Sequence, residues 1–186
     1  MKILAASLES KGVGVFQSKL STLLQVVGAS LFIGLCAQYS IPLPFTPIPL
    51  AGSTLGVLFV GALLGSRKGA LAVLLYLVEG CLGLPVWAGG AAGFLHLMGP
   101  TGGYRLAYVA QAYLVGWFIE KQSSFNFLKT ALALFLACWI QMALGSIWLA
   151  HFVGLKNVFL MGFLPFLPGE AIKVLLVTTY LKSRRN

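Results

Sequence analysis

Charge is what this sequence has least of. Of its 186 residues only 9% are Asp, Glu, Lys or Arg, and only four of them are acidic. A soluble domain carries about 25% charged residues, so a large water-soluble core is excluded. Cysteine and histidine are scarce too, at three and two. Cys36, Cys81 and Cys138 sit singly inside hydrophobic runs without metal-type spacing, and an odd count excludes a complete disulfide framework. They read as small core residues. His96 and His151 are isolated, with no carboxylate or cysteine at ligand spacing, so no metal site is expected. Nucleophile elbow, phosphate loop and zinc signature are all missing; residues 61–68, GALLGSRK, lack the Gly-Lys-Ser/Thr ending of a phosphate loop. The chain has no visible means of hydrolysing ATP, and neither catalytic residues nor a cofactor are expected.

What is there is apolar: 59% of the residues are hydrophobic and the mean hydropathy is +0.92. At about 20 residues per membrane span the length allows five to seven helices. The runs predict six, over residues 20–39, 50–64, 69–82, 103–119, 129–152 and 168–181, in an all-α integral membrane protein. Residues 1–19 form a basic lead, and 20–186 a single six-helix membrane domain. Lys11 and Lys19 ahead of an apolar run imitate a signal peptide, but Leu35 is too large for a cleavage site before Cys36 and further spans follow, so the run is a retained helix. Two connections are irregular yet apolar. Residues 42–49 hold four prolines, which impose an extended connector. Residues 83–105, GLPVWAGGAAGFLHLMGPTGGYR, are too broken by glycine and proline for a helix and too apolar for a solvated linker. Lipid cannot satisfy irregular backbone, so such segments belong where they are buried in protein or line a cavity.

The net charge of +9 does not mark a nucleic-acid binder, because the basic residues are scattered between apolar runs rather than gathered on one face. Membrane orientation explains them. Lys2, Lys11, Lys19, Arg67, Lys68, Lys121, Lys129, Lys182, Arg184 and Arg185 fall on one side of the six-span topology, leaving only Arg105, Lys156 and Lys173 elsewhere. By the positive-inside rule that side and both termini are cytoplasmic. The proline connector, the glycine stretch and the start of the sixth helix then converge on the outer face of a multi-pass protein of the cell's plasma membrane, as expected of an outward-opening ligand site.

Few residues could carry chemistry there. Glu170 and Lys173 are three apart in the first turn of the sixth helix and so share a face. They are either a local ion pair sealing a helix end or, as ionisable groups within a span, ligand contacts. Glu79 lies within the third span and needs a partner, either a cation or a proton of its own; a ligand role and an internal bond both fit. Arg105 begins the fourth helix, where its planar fork suits a ligand carboxylate and snorkelling is the equally simple account. Tyr104, Trp87 and Phe45 could stack on a flat apolar ligand or serve as packing aromatics.

Five blocks in order, PFTPIPL at 44–50, GALLGSRKGALAVLLYL at 61–77, GLPVWAGGAAG at 83–93, GPTGGYR at 99–105 and PGEAIK at 168–173, resemble BioY, the biotin-binding S-component family of energy-coupling factor (ECF) transporters. The resemblance implies six helices, a biotin site near the outer face, and loops after the first and third helices that close over the ligand. It also implies partnership with a transmembrane coupling protein and two ATPase subunits. The family's acidic residue and lysine in the pattern Pro-Gly-Asp/Glu-x-x-Lys fall on Glu170 and Lys173. The chain departs from the family at Ala51-Gly52-Ser53, where Thr-Leu-Gln is common, at Gly89-Gly90-Ala91-Ala92-Gly93, where some members place a polar residue, and at Glu79, where an apolar residue is usual. On helix 1, Ser30 and Gly34 are the nearest match to the small-residue pattern that meets the coupling protein. The resulting expectation is a biotin uptake subunit. The alternatives are an S-component for another small vitamin and a membrane-embedded enzyme with Glu79 and Glu170 as an acid–base pair.

Overall fold

The computed structural model describes the backbone of residues 2–185 and the side chains of residues 20–184. Lys2, Lys11 and Lys19, on which part of the charge asymmetry rests, have side chains outside that range. Helix α1 runs Lys2–Gln38, and strands β1 (Ser40–Ile41) and β2 (Leu50–Ala51) pair antiparallel, Ser40 opposite Ala51. Helix α2 spans Ser53–Cys81, followed by the single turn α3 (Phe94–Leu97), α4 (Gly102–Lys121), α5 (Phe127–Val153), α6 (Leu155–Gly162) and α7 (Leu167–Arg185). Among the described residues, four stretches, Leu20–Gln38, Ser53–Cys81, Phe127–Val153 and Leu155–Arg184, are long and apolar enough to cross a membrane.

Helix α2 is two helices. At Gly65 the backbone takes φ 82° and ψ 179°, a conformation that only glycine adopts without strain. Beyond it the chain folds back: a side chain at Gly69 would meet the backbone of Gly61. Ser53 and Tyr76 likewise line one small chamber, although 23 residues of straight helix would part them by about 34 Å. The two arms, 53–64 and 66–81, supply the second and third helices, and with α1, α4, α5 and α7 complete the six-helix bundle. The predicted second span starts three residues late because Leu50 and Ala51 are in β2.

The hairpin turn is held by α4. Gly116 lets that helix lie directly on Gly65 and Ser66, where any side chain would collide with backbone. Glu120 then accepts from the Ser66 amide and hydroxyl, both at 2.8 Å. This satisfies an otherwise orphan donor at the start of the second arm and sets negative charge at a helix N-terminus. Those two hydrogen bonds hold the Glu120 carboxyl below the usual carboxylate range. The sign follows: the bonds stabilise fully above the ordinary glutamate pKa, and their contribution is lost as pH falls through the lowered value. Glu120→Ala should cost about 1 kcal/mol or less at this exposed end. In detergent, the gap in thermal midpoint between wild type and variant should be present at neutral pH and close on acidification.

Large apolar side chains cover the surface, unlike that of a soluble protein, while several polar ones are buried among an apolar core. Ser30, Gln111, Thr130 and Thr178 are fully buried, while Leu132, Leu136, Ile147 and Leu175 are exposed toward lipid. One buried cluster joins α1, both arms of α2 and Trp87; a second joins α2, α4, α5 and α7. A third, Ile48, Tyr104, Met142, Leu149 and Phe166, packs the proline loop onto the bundle end that holds the start of α7.

Candidate functional site

Glu170 stands in the first turn of α7 and Lys173 one turn on, with side chains 4% and 12% exposed and Nζ 2.8 Å from Oε1. Ionised groups this far from water require partners. Thr54, at the start of α2, supplies one, its hydroxyl donating to Glu170 Oε1 at 2.8 Å. Lys173 Nζ donates to Glu170 Oε1, to Thr54 Oγ1 at 2.5 Å and to the Ala51 carbonyl at 2.8 Å. All three ammonium protons thus have acceptors. Glu170 Oε2 is different: it is buried and has no hydrogen-bond partner among the described residues. The ion pair tethers α7 to β2 and α2, and the Cys138 thiol of α5 stands close to the same carboxylate.

That carboxylate lines a chamber of about 30 Å³ with Ile48, Thr54, Tyr104, Tyr108 and Gln141. A second chamber of about 30 Å³ shares Ile48, Pro49, Ala51, Tyr104 and Tyr108 with the first and is walled by Ser53, Tyr76 and Arg105. Arg105 also reaches a vestibule of about 560 Å³ between the proline loop (Pro42, Thr46, Pro49) and the glycine loop (Ala88, Gly89, His96). The three spaces adjoin through shared walls and mark out a path from the loops to Glu170, with a carboxylate lining the first chamber and the Arg105 guanidinium lining the other two spaces. A groove of about 440 Å³ on the bundle flank, lined by Phe32, Phe59, Leu63 and Tyr180, is apolar and lies away from these charges.

Both loops are fastened. Thr46 donates to the Met161 carbonyl at 2.7 Å, pinning the proline loop to α6. Gln38 at the end of α1 donates to the Pro85 and Trp87 carbonyls at 3.2 and 3.3 Å, pinning the glycine loop. Arg105 donates to the His96 carbonyl at 3.1 Å and covers the Trp87 ring at 4.4 Å from its centroid. It is 6% exposed, so it does not snorkel. Partial desolvation and the nearby Arg105 charge lower the His96 pKa.

The remaining sequence candidates are spread around this site. Tyr104 walls both chambers, with its hydroxyl occupied by the Gly162 carbonyl at 2.6 Å and Ser146 at 3.0 Å. Trp87 is fully buried behind the glycine loop against Gly80, and Phe45 is 54% exposed on the proline loop. Glu79 lies between α1 and the second arm of α2, accepting from Ser30 at 2.8 Å, with Oε2 buried and unpartnered. Its partner is a hydroxyl and neither Lys173 nor Arg105. Sequence reading missed Thr54, Tyr108 and Gln141. Only their polarity at helix positions that pack inward could have flagged them, and the inward face of each helix is fixed by neighbours distant in the sequence.

The sequence pattern of the BioY family matches residues 9–186. The chain belongs to the BioY family. It is 35% identical over 147 residues to a protein of Pyrococcus horikoshii named probable biotin transporter BioY, covering 77% of this chain and 85% of that one. It is 32% identical over 165 residues to the biotin transporter BioY2 of Lactococcus lactis, covering 88% and 89%. The fold is similar to a crystal structure described as the S-component for biotin from an ECF-type ABC transporter, with TM-score 0.82, 30% identity, and coverage of 91% and 93%. These BioY relatives are named as transporters, and the family pattern spans both loops and α7.

Proposed function

We infer that this chain is the biotin-binding subunit of an ECF-type uptake transporter and that it captures biotin without altering it. The observation that carries this reading is the desolvated, unpartnered Glu170 Oε2 at the floor of a path closed by two fastened loops. Biotin offers a ureido ring with two N–H donors at one end and a carboxylate at the other. A buried carboxylate oxygen accepts an N–H strongly where water is excluded. Lys173, its protons already committed, holds Glu170 in place and balances its charge. Arg105 retains N–H groups beyond the one given to His96 and stands nearer the vestibule, where it meets the ligand carboxylate. Tyr104 flanks the bicyclic ring, while Trp87 backs Arg105. Phe45 stands at the loop rim, and Glu79 braces α1 against α2 outside the path. Admission of a bicyclic ligand requires the proline and glycine loops to part, because the chambers are each only about 30 Å³.

The side bearing this path faces outward and the Gly65 turn faces the cytoplasm, since Arg67, Lys68 and Lys121 gather at that turn. The protein thus sits in the plasma membrane with both termini inside. Lacking a phosphate-binding motif, it takes energy from a transmembrane coupling protein and two ATPase subunits. Equilibrium titration of the purified protein with biotin, thiamine and riboflavin tests the assignment. Saturable binding of biotin alone is expected; preference for either other vitamin would reassign the substrate, and binding of none would remove the transport-subunit reading.

A further inference from the structure

Besides Glu170 Oε2, a second polar group on the floor of the path remains uncommitted. Of the polar side chains that line the Glu170 chamber, Lys173 and Thr54 are spent on Glu170, Tyr104 on Gly162 and Ser146, and Tyr108 on Ser53 at 2.9 Å. Gln141 of α5 is the exception. It is 2% exposed, lines the chamber, and makes one long bond, Nε2 to the Tyr104 carbonyl at 3.4 Å. A primary amide carries two N–H donors and an acceptor oxygen, so one proton and the carbonyl of Gln141 stay available. A buried amide left so lightly satisfied is costly unless something completes it.

The shape of the missing partner follows from the amide itself. Its adjacent donor and acceptor match a group that presents C=O beside N–H, as the edge of a cyclic urea does, in a pair of parallel hydrogen bonds. Glu170 is acceptor-only and matches an N–H but not a carbonyl. We propose that Gln141 is the residue that reads the ureido carbonyl and its neighbouring N–H, while Glu170 takes the other N–H; this rests on the biotin reading above. Gln141 is then the specificity-determining residue that separates a urea from rings of the same shape bearing a donor in place of the carbonyl oxygen.

Iminobiotin is such a ring, since its guanidinium replaces the carbonyl acceptor with N–H donors at neutral pH. Gln141→Glu keeps an acceptor and removes the donor, so the ratio of biotin to iminobiotin affinity should shift toward iminobiotin by about tenfold or more, as expected when a buried polar match is exchanged for a mismatch. Gln141→Met, similar in length and apolar, should weaken biotin about tenfold without favouring iminobiotin. The wild type supplies an arm that needs no variant: the ureido C=O stretch of carbonyl-labelled biotin should fall on binding relative to an aprotic solvent. A ratio unchanged in Gln141→Glu, biotin affinity within about twofold of wild type in Gln141→Met, or an unshifted carbonyl stretch overturns the proposal. Absence of biotin binding to the wild type would instead remove the parent reading, so the two failures are distinguishable.

Discussion

Glu170→Gln should weaken biotin binding by tens to about a hundredfold, because a charge-assisted hydrogen bond in a desolvated site contributes about 1.5–3 kcal/mol. The change keeps size and one oxygen but removes the charge that makes Oε2 a strong acceptor and that anchors Lys173. Calorimetric titration in detergent checks it, with Glu79→Leu as the companion. Glu79 bonds Ser30 between α1 and α2 and lines none of the three spaces that lead to Glu170. Its replacement should therefore leave affinity within about twofold even if stability shifts. Wild-type affinity in Glu170→Gln, or a collapse of binding in a folded Glu79→Leu protein, would exchange the roles given to these two carboxylates.

Lys173→Met should destabilise the protein more than it first appears to affect the ligand. Removing one member of a buried pair leaves the other charge uncompensated, at about 3–5 kcal/mol. Three tethers are lost together, to Ala51, Thr54 and Glu170, so β2 and the start of α2 should loosen from α7. The double variant Glu170→Gln, Lys173→Met carries no stranded charge and should recover much of the thermal stability without recovering biotin affinity. Thermal unfolding of the single and double variants measures this non-additivity. If the double variant is as unstable as the sum of the singles, the pair is not the coupled unit described here.

Apolar runs were enough to foresee six helices, because in lipid the length of a run translates directly into a crossing. They could not show that the second and third helices meet at the single residue Gly65, since nothing in the run itself records its positive φ. Helix α6 was missed for a related reason: Leu155–Gly162 is short, and its backbone is held by Thr46 and Tyr104, residues more than 50 positions away. Glu170 and Lys173 were legible because ionisable residues stand out in a span. Thr54 and Gln141 were not, because a threonine or glutamine in a helix signals nothing until its neighbours are known. Trp87 and Arg105 show the converse: the sequence left Trp87 as a stacking or packing aromatic and Arg105 as a ligand contact or a snorkelling cation, and the glycine loop buries them together.

A crystal structure of the protein with bound biotin decides between these arrangements. A ureido nitrogen is expected within about 2.7–3.2 Å of Glu170 Oε2, with the biotin carboxylate on the Arg105 side toward the vestibule. Biotin seated with its carboxylate at Lys173, or in the apolar groove beside Phe32 and Tyr180, would contradict it.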